Sequence, residues 1–460
     1  MTPDAHGNPT AGPPDAVARY DHALDRLLRL RTDVVPAAST LVRDAPEVPM
    51  AQALWAYLML SSTDAADVPA ARESVDALGA LAGHWGPREG GHHRALEAWA
   101  AGDWRRAAAV LDDLLIEWPA DLLALMMGHQ LDFYVGDAAN LRDRVGRSLG
   151  AVDPDHPHHG LAQGMYAFGL EESGHYEQAE QHGLAAVGRN PDDVWAIHAV
   201  AHTHEMRGDV AGGVAFLDDQ AAGWHDGNLF TVHLAWHRAL FLLDAGRVDD
   251  VLATYDTWAY SAEVPAAPLQ LVDASALLWR LLLDGVDTGD RFAGLADAWA
   301  LALARAGGPG ATEASWYPFN DAHAVMALAG AGRLGEARAV VVRLEADAAG
   351  AAGGAGAGPG PGPDRATMAA DAGLPAARAT LAFVEDRHED VVADLLPARR
   401  TLHRFGGSHA QRDAWERTLL ESALASGRVG LARALLSERL ATRPASGYAA
   451  QRQADLAGRT

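Results

Sequence analysis

Residues 191–246, PDDVWAIHAVAHTHEMRGDVAGGVAFLDDQAAGWHDGNLFTVHLAWHRALFLLDAG, decide how this chain folds. Two helical patterns lie in the stretch, each running up to a glycine, Gly208 and Gly246. Each carries two histidines four residues apart, His198 with His202 and His233 with His237. At about 3.6 residues per turn such a pair shares one helix face, one turn apart. Glu205, three residues after His202, joins the first pair.

Working outward, the glycine turn recurs. A small residue, a polar one and a hydrophobic one open a new helix as GDW at 102, GDA at 136, GHY at 174, GDV at 208, GRV at 246, GRL at 332 and GRV at 427. The first five start 34, 38, 34 and 38 residues apart, the period of tetratricopeptide repeats. The unit ending at Pro191 is the clearest. GLAQGMYAFGLEES forms its first helix and YEQAEQHGLAAVGRN its second, with Ala179 and Ala186 where the helices must approach and Pro191 as the stop. A hairpin of this kind cannot bury its apolar face alone, so neighbours must stack. The expectation is an all-α, tetratricopeptide-repeat-like solenoid, a right-handed superhelix of antiparallel helix pairs with a concave face.

The remaining sequence supplies the borders of that solenoid. Residues 1–17, rich in Pro and Gly, read as a disordered tail, and 18–347 as the helical repeats, opened by helices after Tyr20 and Pro49. Apolar helices are expected over 269–284 and from Arg291, with a break at 307–310. Residues 348–363, AAGAAGGAGAGPGPGP, read as a low-complexity insertion without a packed core. Helical repeats resume over 364–443, and 444–460 reads as a polar tail.

Composition removes several function classes. The 460 residues carry a formal charge of -24, from 61 acidic and 37 basic side chains, and every basic one is arginine. An acidic surface repels nucleic acid and anionic lipid, so neither is expected as a partner. Without lysine there is no Schiff base and no Walker-type phosphate lysine, which excludes pyridoxal and P-loop chemistry. The absence of cysteine excludes disulfides, thiolate metal sites and a cysteine nucleophile, and fits a cytoplasmic protein. No basic leader precedes an apolar run, and the most apolar windows are far short of the roughly 20 residues that span a bilayer.

Counting each turn glycine as repeat position 15 puts Trp195, His198, His202 and Glu205 at positions 2, 5, 9 and 12, which line the concave surface in tetratricopeptide repeats. His204 then falls at a packing position. The same count places His233 and His237, with Trp236 beside them, His323, and His92 with His93 in or at the edge of one trough. A lone histidine on such a helix is ordinarily a hydrogen-bonded packing residue. Two adjacent units presenting pairs is what raises a shared ligand.

Three chemistries fit a His-rich groove with a carboxylate. His198, His202, His233 and His237 could hold a divalent metal, although the zinc-protease order HExxH is absent. The imidazoles could act as acid and base, oriented by Glu205, Asp273 or Asp321. They could also bind a peptide, protein or small polar ligand without turnover. No cofactor other than a divalent metal is implied, and no nucleophile elbow, phosphate loop or dinucleotide fingerprint is present.

Two more clusters qualify. In FNDAH, Asn320 or Asp321 could cap a helix that carries His323. In FGGSHAQRD, Ser408 could cap a helix whose first turn holds Gln411, Arg412 and Asp413, either as an anion site or as an Arg–Asp brace between helices.

GMYAFGLEESGHYEQAE, WAIHAVAHTHEMRGDVAGGVAFL, the WH pair of HLAWHRALFLLDAGRVDDVLATYD, FNDAHAVMA and GGSHAQRD together resemble the tetratricopeptide repeat protein 38 family. The resemblance runs from Arg94 to Arg443, extends toward Tyr20, and is interrupted by 348–363. It implies a soluble α-helical repeat protein and carries no molecular activity with it. Its motifs coincide with the groove positions just derived. The functional expectation is therefore a repeat protein binding a peptide or small polar ligand in a His-rich concave groove, or else a hydrolase or isomerase, metal-dependent or not, built on the same histidines.

Overall fold

The computed structural model describes residues 1–260, 267–305, 316–352 and 362–457. The fold is all-α, a tandem series of antiparallel helix hairpins, as the repeat spacing implies. The turn glycines explain why the spacing was readable. Gly102, Gly136, Gly174, Gly208, Gly246, Gly332 and Gly427 all have φ between +68° and +81°, where a Cβ would be strained. At each, the next residue donates its N–H to the carbonyl five positions back, as in Asp103 to Ala98, Asp209 to His204 and Arg333 to Leu328, at 2.8–2.9 Å. This bond closes the first helix and turns the chain. Where the next residue is Asp103, Asp137 or Asp209, its carboxylate also caps the second helix. The same turn occurs at Gly285 and, with a non-glycine residue, at Asp386 (φ +56°).

The chain divides into two compact units. The first comprises residues 1–200, 220–231 and 362–364, the second 201–219, 232–361 and 365–460, so the division falls inside helix Val194–Arg207.

In the first unit, hairpins Pro87–Ala100/Trp104–Glu117, Leu122–Tyr134/Ala138–Leu149 and His158–Glu172/Tyr176–Arg189 pack each on the next. Ala179 and Ala186 are buried where expected, and Tyr176–Arg189 stops before Pro191. The N-terminus corrects the expectation of a disordered tail. Thr2–Pro3 pairs antiparallel with Pro9–Thr10, around a turn organised by Asp4. The strands are locked inward because buried Arg88 binds Asp4 (3.1 Å) and Thr10 (2.9 Å) as well as Asp121 (2.6 Å).

In the second unit the apolar helix Pro268–Leu283 is central. It packs on Pro318–Gly330, which packs on Leu374–Val384, while His409–Ala425 returns to pack on Pro268–Leu283 itself. Trp279 Nε1 donates to Thr418 Oγ1 (2.9 Å) and Arg280 Nη2 to the Ala410 carbonyl (2.5 Å). Two expected borders move. Leu334–Ala352 continues five residues into the supposed insertion, with Ala348 packed on the Val340–Leu344 core; 353–361 lie outside the described residues. The break at 307–310 also lies outside them. The supposed polar tail forms helix Gly447–Ala457, whose Tyr448, Ala449 and Leu456 are buried. No described helix is long and apolar enough to cross a membrane.

Candidate metal centre

Helix Val194–Arg207 supplies His202 and Glu205, and helix Thr231–Asp244 supplies His233, Trp236 and His237. The i, i+4 spacing turns His233 and His237 the same way, their ring centroids 4.8 Å apart, and the His202 ring lies 4.4 Å from that of His237. One ring nitrogen from each of the three histidines lies within 4.8 Å of the other two. His202 and His237 are fully buried and His233 retains 16% of its side-chain exposure.

Carboxylates stand behind two of these rings. His233 Nδ1 is 2.8 Å from Asp273 Oδ2, and His237 Nδ1 is 3.3 Å from Glu205 Oε2. A carboxylate can only accept here, so Nδ1 of each ring carries the proton and donates it. Burial, followed by the neighbouring His202, His233 and Arg280, holds the His237 pKa well below the ordinary imidazole value, so the ring is neutral at neutral pH.

Outer groups hold the two carboxylates in place. Gln411 Nε2 donates to Asp273 Oδ1 (3.4 Å), and Gln411 is itself held in a reciprocal cap with Ser408. Arg443 Nη1 lies 3.7 Å from Glu205 Oε1 and 3.4 Å from Asp413 Oδ1. Trp236 stacks on His233 (5.3 Å, 17°), with the Arg280 guanidinium 5.6 Å from the indole centre. Burial lowers the Arg280 pKa to about 10, still charged at neutral pH. Beside Glu205 a cleft lined by Phe241, Asp244, Arg280, Asp413, Arg417 and Arg443 has about 20 Å³ of free volume, room for about one water.

Trp195 and His198 belong to the first unit, where the His198 ring packs on Phe168 (4.8 Å) and Phe230 (5.2 Å), and Trp195 edges His129 (5.4 Å). His92 is a structural group, bonded to Asp121 (2.9 Å) and the Tyr57 hydroxyl (3.1 Å), while His93 approaches Glu97 (3.5 Å). His204 is not the buried packing residue expected, since it pairs with Asp209 (2.9 Å) near the surface.

His323 donates Nδ1–H to the Phe319 carbonyl one turn back (2.8 Å) and packs on Trp415. Its burial lowers its pKa to about 3. Asn320 and Asp321 are buried, but the residue at the cap of their helix is Tyr317. Arg412 turns back onto the Gly407 carbonyl and His409. The brace between helices is made by Asp413 instead, with Arg417 (3.0 Å), Arg439 and Arg443, and these partners hold its pKa well below the carboxylate range despite burial.

Arg280 and Arg443 escaped the sequence reading because their spacing follows no repeat position. The same holds for a 410 Å³ pocket among Arg399, Arg400, Arg417, Arg439, Glu438 and Tyr448.

The open concave trough expected from repeat numbering is not what these side chains occupy. His202, His237 and His323 are interior, and His409–Ala425 covers Pro268–Leu283.

No family model matches the chain. The solved structure of Naa15/Naa10 bound to HypK-THB is similar at 12% identity and a TM-score of 0.25. That match covers 96% of this chain and 66% of the other, so this chain spans just under two thirds of its length. At that TM-score the likeness adds nothing to the helical-repeat architecture read from the hairpins themselves.

Proposed function

We propose that this protein is a helical-repeat metalloprotein whose second unit binds a divalent transition-metal ion, zinc first, through His202, His233 and His237. The supporting observation is the pair of carboxylate-backed imidazoles, Asp273–His233 and Glu205–His237, meeting a third ring. Carboxylates behind metal-bound histidines fix the tautomer and raise ligand basicity. The ring nitrogens, within 4.8 Å, need ring rotations of about 1 Å to reach the roughly 3.4 Å that tetrahedral Zn–N bonds of 2.0–2.1 Å require.

An ion there would supply a Lewis acid and an activated water, chemistry suited to hydrolysis of a small polar substrate. Asp273 and Glu205 orient the imidazoles, Trp236 fixes the His233 ring plane, and Arg280 and Arg443 offer positive charge to a developing oxyanion. A second, metal-free reading rests on the 2.8 Å Asp273–His233 pair, which would make His233 a general base. The family resemblance leaves both open, since it carries no activity.

Elemental analysis of untagged protein tests the proposal. Near-stoichiometric zinc in the parent, absent from a His202→Ala/His233→Ala variant that keeps its helical circular dichroism, is expected. A metal-free parent that also fails to take up added zinc would sink the metal reading and leave the general-base one.

A further inference from the structure

The first unit holds a second histidine cluster that shares no residue with the proposed centre. His6 sits at the tip of the N-terminal hairpin, His156 precedes helix His158–Glu172, and His158 opens that helix. One ring nitrogen from each lies within 4.8 Å of the other two. The His6–His156 centroids are 4.4 Å apart and the His156–His158 centroids 4.7 Å. His6 Nε2 is 3.0 Å from His158 Nδ1, and His158 Nε2 is 2.9 Å from Asp25 Oδ1.

Asp25 accepts from His158 Nε2–H. In the neutral tautomer of His158 that this bond selects, Nδ1 carries a lone pair and receives the His6 Nε2 proton. The carboxylate is ionised, held below the ordinary aspartate range by His158 first and Arg29 as well. Asp25–His158 is thus another carboxylate–imidazole pair, and two further imidazoles, His6 and His156, stand beside it. The 3.0 Å separation is already close to the roughly 3.4 Å spacing of two nitrogens on one zinc ion. His6 and His156 are only partly buried, which gives an ion a path in.

We infer that His6, His156 and His158 form a second divalent transition-metal site, of the zinc, copper or nickel class, that fastens the N-terminal hairpin to helices Pro14–Leu28 and His158–Glu172. Ion and proton balance are simple. His6 moves its Nε2 proton to Nδ1, His156 exchanges the hydrogen bond that its Nδ1 accepts from the His158 backbone N–H (3.1 Å) for a metal bond, and a water completes four-coordination. Asp25 stays behind His158 as its positioning group.

The site is independent of the proposed centre, and the test keeps the two apart. Full-length untagged protein, stripped with chelator, is titrated with Zn²⁺ and then with Co²⁺ in four forms: parent, His6→Ala, His202→Ala/His233→Ala, and all three substitutions combined. His6 is partly exposed at a turn, so its variant should fold. Loss of one bound ion and its tetrahedral cobalt absorption in His6→Ala, with ten-fold slower hydrogen exchange over residues 1–12 when zinc is added to the parent, is expected. The His202→Ala/His233→Ala form should keep both signatures even if the first centre proves wrong. Equal zinc uptake and equal exchange in parent and His6→Ala would overturn the inference.

Discussion

Asp273 and Glu205 carry the most specific expectations at the scale of single residues. Each stands behind one imidazole, so Asp273→Asn or Glu205→Gln should keep the fold and weaken zinc binding about 10- to 100-fold, read by competition with a chromophoric chelator. Unchanged affinity in both would show that these carboxylates do no more than pair with histidine. Asp193 offers a separate test in the first unit. Its carboxylate is buried, bonds the Ala196 N–H (3.1 Å), and has its pKa raised by desolvation to about 7. An acid with a higher pKa folded than unfolded binds extra protons in the native state, so stability falls as pH rises from about 4 to about 7 and then levels. Asp193→Asn keeps an acceptor for the cap and removes this penalty. It should be near neutral at pH 4 and stabilising by about 1–3 kcal/mol at pH 8, measured by urea unfolding at both values.

At the level of elements, the turn glycines are where backbone geometry sets stability. A Cβ at Gly174, φ +81°, meets nothing within 4 Å, whereas one at Gly208, φ +71°, would sit 2.8 Å from Ala445 Cβ. Gly174→Ala should therefore cost only the left-handed backbone penalty of about 1–2 kcal/mol, and Gly208→Ala clearly more. Equal losses in denaturant midpoint would mean that the loop at 445 yields freely. These elements were the most legible part of the sequence, because a left-handed turn demands glycine and repeats its demand every hairpin. Gly285 was missed because GVD lacks the following small-residue helix, and the turn at Asp386 because a non-glycine takes the left-handed position there.

Over the whole molecule, contacts distant in sequence decide what the local pattern cannot. The N-terminal hairpin reads as disorder by composition, yet Asp4 neutralises Arg88, whose side chain is 1% exposed, across 84 residues. Asp4→Ala leaves that guanidinium with Asp121 and Thr10 alone, and should cost about 3–5 kcal/mol in unfolding experiments. A loss under 1 kcal/mol would mean that Asp121 suffices. The candidate site depends on the same kind of contact. Gln411 meets Asp273 from 138 positions away, and Arg443 meets Glu205.

By itself the sequence determined the all-helical class, the hairpin turns, the stop at Pro191 and the pairing of His233 with His237, because each follows from backbone sterics or from a spacing of one helical turn. It also nominated His202 and Glu205, one turn apart on their helix. Only the tertiary structure decided that Asp273 rather than Asp321 stands behind His233, that Trp195 and His198 pack with the aromatics of the first unit, and that the expected trough is filled. The physical reason is packing between elements distant in sequence, as where His409–Ala425 returns onto Pro268–Leu283 and brings Gln411 to Asp273. Side-chain volume and apolar burial set that packing, and no local periodicity encodes it.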